Sequence, residues 1–185
     1  MVGAVEEIRS SLMKTLSIFF KIILIIILSI VIASLFGAIH NQISYSVSSE
    51  FFKDFLFGNF GVYNWEIDNE RISASLVGIL GSYWVGLILG IIYSIIFLFL
   101  NTENNFRNIL NAILINIAFA FSGSFVGYII GNFINLENSG VFMEFGTQYP
   151  QNYIEAAYMH NGSYYGGIAG LIAGIIYLFK RNNSK

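Results

Sequence analysis

The stretch Ile22–Ile39 reads IILIIILSIVIASLFGAI, with no charged residue and no proline. A helix rises 1.5 Å per residue, so this stretch alone covers about 27 Å, close to the roughly 30 Å hydrocarbon core of a bilayer. Extended to the flanking apolar residues it predicts a span over about 18–39, with Lys21 near its start. Three more segments qualify, at about 73–100, 109–134 and 162–179. The fold these predict is an all-α membrane protein. It is one integral domain over 1–185, a bundle of four transmembrane helices with outer loops 40–72 and 135–161.

Composition agrees. Charged residues are 11% of the 185-residue chain, against about 25% in soluble domains, so lipid must replace water over much of its exterior. A net charge of −2 without a basic run argues against a nucleic-acid partner. The chain has no cysteine, which removes disulfides and thiolate chemistry together.

Lysine and arginine set the orientation. Arg9, Lys14, Lys21, Arg107, Lys180, Arg181 and Lys185 fall on one side, and only Lys53 and Arg71 on the other. Both termini are therefore expected in the cytoplasm, with the long loops outside. Lys21 can reach back to the headgroups along its stem. The first span is longer than a signal-peptide core and no small-x-small cleavage site closes it, so it is expected to be retained. With no eukaryotic sorting motif, a bacterial plasma membrane is the simplest location.

Small residues recur every fourth position: Gly86 and Gly90; Gly123, Gly127 and Gly131; Gly166, Gly170 and Gly174. Each set lies on one helix face, where missing side chains let backbones approach (the GxxxG arrangement). Packing within the bundle is the first reading; a homo-oligomer seam or a membrane-protein partner is the other. Gly86-Leu-Ile-Leu-Gly90-Ile-Ile-Tyr93 parallels Gly170-Leu-Ile-Ala-Gly174-Ile-Ile-Tyr177, as two repeated hairpins would.

The outer loops are aromatic. Ile43-Ser-Tyr45-Ser-Val47-Ser alternates with period two and predicts a short strand. Phe51, Phe52, Phe55 and Phe57 then suit an interfacial helix ended by Gly58 and Gly61. Pro150 can open a helix that leads into span four. Together these segments predict a small aromatic cap over the bundle.

His40-Asn-Gln-Ile-Ser-Tyr45-Ser-Val-Ser-Ser-Glu50-Phe-Phe resembles the segment after the first span in a group of uncharacterised bacterial four-span membrane proteins. Their pattern is His-Asp-Gln, a Ser/Thr and Tyr alternation, then Ser-Pro-Glu-Tyr-Phe; Tyr83-Trp84-Val-Gly86 and Met159-His160-Asn161 are similar too. This chain departs at Asn41, where the group has Asp, and at Ser49, where it has Pro. The resemblance implies a four-span fold and a bacterial membrane, and no activity.

The two histidines, His40 and His160, fall at the outer ends of spans one and four, and each is followed by Asn. First and last helices of a bundle are commonly neighbours, so the imidazoles can converge. With Glu50 they would form a two-histidine, one-carboxylate site for a divalent metal. Gln42, Tyr45 and Asn161 would orient the ligands. Against this stands the simpler expectation that both imidazoles bond helix ends and tie the cap down; nothing favours haem between them. No ionisable residue falls inside a span, which argues against coupled transport. No phosphate-binding loop, nucleophile elbow or CxxC occurs. The expected role is a non-catalytic envelope protein, structural or interacting. The alternative is an outer-face metal-binding protein or metalloenzyme using His40, His160 and Glu50.

Overall fold

The computed structural model describes residues 2–100 and 105–183; Lys185, counted above among the cytoplasmic basic residues, lies outside them. Four long helices make the molecule: α1 (Val2–Val47), α3 (Glu70–Phe99), α4 (Asn105–Phe133) and α5 (Pro150–Asn182). All four are long and apolar enough to cross a membrane. Between α1 and α3 lie a π-helical turn (Phe51–Leu56), the short α2 (Phe57–Asn59) and a 3-10 turn (Val62–Trp65); another 3-10 turn (Leu136–Asn138) follows α4. The described residues contain no strand.

Local chemistry sets two of the helix starts. The Asn69 side chain accepts from the Arg71 and Ile72 amides and caps α3. Pro150 opens α5 in its first turn, where its missing N–H has no intrahelical partner to lose.

Two antiparallel hairpins form, α1 against α3 and α4 against α5, and contact between them is sparse. Each hairpin is closed along a glycine seam. A Cβ on Gly86 would stand 2.6 Å from the Ser29 carbonyl oxygen, and one on Gly90 2.8 Å from the Ile26 Cα. On the other hairpin, a Cβ on Gly123 would overlap the Gly162 carbonyl, and one on Gly127 the Tyr158 carbonyl. Backbone is thus the neighbour at these positions, and only glycine leaves room for it.

The hairpins join at their two ends. At one end Ile25, Tyr93, Phe97, Ile109, Ile113 and Leu178 form an apolar core, and the buried Tyr93 hydroxyl donates to the Ala112 carbonyl at 3.3 Å. At the other, Phe51, Phe52, Leu56, Phe57 and Val62 pack on Ala74, Val77, Tyr153 and Ala156. The aromatic cap is this second core.

Two sequence expectations are corrected here. The strand expected from Ile43 is helix, because α1 continues to Val47. His40, Asn41, Ser44 and Ser48 are buried whereas Ile39 and Ile43 are about half exposed. The alternation is thus a helix with a polar inner face and an apolar outer one. Nor do the cap phenylalanines share one exposed face: Phe51, Phe52 and Phe57 are buried in the protein and only Phe55 is exposed.

Candidate functional site

Polar side chains from three of the long helices gather against the cap. α1 brings His40 and Asn41, α4 brings Ser124, and α5 brings His160. The two imidazole rings meet edge to face, with centroids 4.7 Å apart and planes at 76°. Phe36 stacks on His40, and Phe51 and Phe52 flank His160. Apolar rings thus surround much of the pair, and hydrogen bonds in such surroundings are stronger than in water.

His160 Nδ1 lies 2.9 Å from the Ala156 carbonyl oxygen and 3.4 Å from Ser44 Oγ. Its Nε2 lies 3.2 Å from Asn41 Oδ1, while the Asn41 amide donates to the Ala74 carbonyl on α3 at 3.0 Å. A neutral imidazole carries one N–H, so it serves either Ala156 or Asn41, with Ser44 able to donate to Nδ1 in the second case. His40 Nδ1 lies 3.3 Å from Ser124 Oγ. Hydrogen bonds from neighbouring residues of α1 therefore reach α3, α4 and α5.

Ser124 Oγ donates to His40 Nδ1 in one tautomer of the ring and accepts from it in the other. In either tautomer His40 Nε2 is left over. That nitrogen is the one buried side-chain N or O atom among the described residues with no hydrogen-bond partner. Leaving such a buried polar atom unmet costs roughly 1–3 kcal/mol.

The other expected site residues lie apart from the pair. Glu50 accepts from the Gln148 and Tyr149 amides, one on each carboxylate oxygen and both at 2.9 Å. Those amides sit immediately before Pro150, where the positive end of the α5 dipole favours an anion. Gln42 donates to the Arg71 carbonyl at 2.7 Å and to Ser75 Oγ at 2.8 Å, joining α1 to α3. The Tyr45 hydroxyl donates to Glu70, and the Arg71 guanidinium lies 5.1 Å over its ring. Asn161 is exposed.

The expected ligand set of His40, His160 and Glu50 therefore does not assemble. The carboxylate is fully engaged by backbone N–H groups, and no group of three His, Cys, Asp or Glu among the described residues is placed to hold a metal. Other members of the polar layer carry no motif. Ser44 and Ser124 complete it, and a buried Glu155 accepts from Asn132 at 2.9 Å on the α4–α5 seam. The four-residue spacing of His40, Ser44 and Ser48 is the sequence signal that marks the inner face of α1.

Beneath this layer the sparsely packed hairpins leave a cavity of about 360 Å³. It is lined from all four long helices and, from the cap, by Leu56 and Phe60. His40 and His160 reach it from above, and Asn116, whose amide donates to the Gly167 carbonyl at 2.8 Å, from the side.

Compared with known proteins, the chain matches no family model, no curated protein and no solved structure.

Proposed function

We propose that this is a non-catalytic protein of a bacterial plasma membrane, with both termini in the cytoplasm, that acts by binding and contact. The observation that carries this reading is where its buried polar side chains point. They bond to one another and to backbone across all four helices, and the one carboxylate expected beside the histidines holds the start of α5 instead. The seven-to-two asymmetry of basic residues supports the orientation. The resemblance of the His40–Phe52 segment to bacterial four-span proteins supports the location. Contact with a partner or a second copy is supported by α1, which at 1.5 Å per residue runs about 69 Å, more than twice a hydrocarbon core. Val5, Ile8, Leu12 and Leu16 lie along one face of its first turns and are all exposed.

Elemental analysis of the protein purified without chelators tests the non-catalytic reading. Substoichiometric metal is the expected result. About one bound transition metal per chain, lost in His160→Ala, would restore the metalloenzyme alternative and overturn this one.

A further inference from the structure

Away from the cap, next to the Tyr93 core, the α4–α5 seam closes on a second polar arrangement. The Asn111 amide on α4 donates to the Tyr177 hydroxyl on α5 at 3.0 Å. Residues four apart share a helix face, so Arg107 continues the face of Asn111 and Arg181 that of Tyr177. In an antiparallel hairpin both steps lead the same way, which brings the two arginines to the same end of the seam. The Arg181 guanidinium lies 5.8 Å over the Tyr177 ring, and the charges of Arg181 and Arg107 both act on the Tyr177 hydroxyl.

The ion pair found among the described residues, Lys53 with Glu70, belongs to the cap, and Arg107 and Arg181 are both exposed. Two cations drawn to one oxygen repel each other unless an anion stands between them. The Tyr177 hydroxyl adds a donor, because it accepts from Asn111 and no acceptor among the described residues takes its own proton. Two guanidiniums and a phenol O–H suit a phosphate, whose oxygens the arginine fork fits.

The depth points to lipid. Arg107 stands just before Ile109, where the third span begins by sequence, and Arg181 just after Phe179, where the fourth ends. Leu114, two turns along the face that carries Arg107 and Asn111, is exposed and offers apolar surface to an acyl chain. Basic pockets between spanning helices bind headgroups in this way.

We propose that Arg107, Arg181 and the Tyr177 hydroxyl bind the phosphate of one anionic phospholipid, whose acyl chains lie along the α4–α5 face marked by Leu114. A zwitterionic headgroup fits less well, because it brings its own cation to a phosphate that two arginines already surround. The site requires α4 and α5 to be spans. It does not require a particular orientation, which reporter fusions test separately.

The full chain in nonionic detergent is titrated with dioleoyl phosphatidylglycerol and, separately, with dioleoyl phosphatidylcholine, and bound lipid is counted by native mass spectrometry. One phosphatidylglycerol per chain should bind about tenfold more tightly than phosphatidylcholine. Arg107→Gln and Arg181→Gln should each weaken it about fivefold and the double variant about 25-fold, the contribution of basic residues at an anionic surface. Tyr177→Phe keeps the ring under Arg181 and should weaken binding about threefold. Arg9→Gln, at another exposed arginine, should leave binding unchanged, and none of the arginine variants should shift the unfolding temperature. Equal affinity for the two lipids, an undiminished affinity in the double variant, or an equal loss in Arg9→Gln would overturn the proposal. Displacement of the lipid by millimolar inorganic phosphate would overturn it too, in favour of a soluble phosphate.

Discussion

Gly37 and Gly78 face each other across the α1–α3 seam so closely that a Cβ on either would overlap the other's carbonyl oxygen. Backbone cannot yield as a flexible side chain does, so Gly78→Ala should cost about 1–3 kcal/mol by overpacking. Gly167→Ala, in open space, should cost nothing and gain up to about 1 kcal/mol from helix propensity. On the second hairpin, Gly127→Leu should lower stability far more than Leu24→Phe, whose site is 44% exposed. Thermal unfolding in detergent checks all four, and equal midpoints would remove the seam account.

Glu50→Gln replaces an anion that two backbone N–H groups address with a neutral amide. Charge-assisted bonds of this kind are worth about 1.5–3 kcal/mol, less here because the site is only half buried. Hydrogen exchange at the Gln148 and Tyr149 amides should accelerate, and that at the α3 cap of Asn69 should not. Unchanged protection at 148–149 would show that Glu50 does not hold the start of α5.

Asp54 gives the cap a pH dependence. Burial lifts its carboxyl above the usual range, Glu144 and Glu50 add repulsion, and Lys53 opposes them. A carboxyl whose folded pKa is raised keeps its proton longer in the folded state than in the unfolded one. Stability is therefore lost as pH rises from the ordinary value of about 3.9 through the raised one. Asp54→Asn should be more stable than the parent at pH 7, with the advantage disappearing below about pH 3.9. An advantage that is constant with pH would contradict this assignment.

How much of this was legible in the sequence depends on which solvent each face meets. The four spans were legible because lipid demands long apolar runs, and the histidine pair because two span ends fix a common depth. The helical course of 43–47 was not. Tests for alternation assume that the apolar side turns inward, whereas here Ser44 and Ser48 are buried and Ile43 is exposed. Glu50 was misplaced for another reason: its partners are peptide N–H groups about a hundred residues away, which no spacing reveals. Asn41 shows what its position asks of a side chain. Its amide donates to Ala74 while its Oδ1 stands 3.2 Å from His160 Nε2, and a carboxylate could not make the first of these bonds.

The orientation has its own test. Reporter fusions after Leu100 and after Lys185 should both read as cytoplasmic, and a fusion after Ser139 as external. A periplasmic signal at Leu100 or Lys185 would break the assignment of both termini to the inside.

The central claim is that His40 and His160 hold the two hairpins together as one network and are not there for chemistry. A double-mutant cycle on His40→Leu and His160→Leu, read as unfolding free energy in detergent, tests it most directly. The rings touch and share a polar layer, so the two losses should not add; a coupling of about 1 kcal/mol or more is expected, within the roughly 0.5–3 kcal/mol found for contacting residues. Losses that add to within about 0.3 kcal/mol, the behaviour of independent sites, would contradict it.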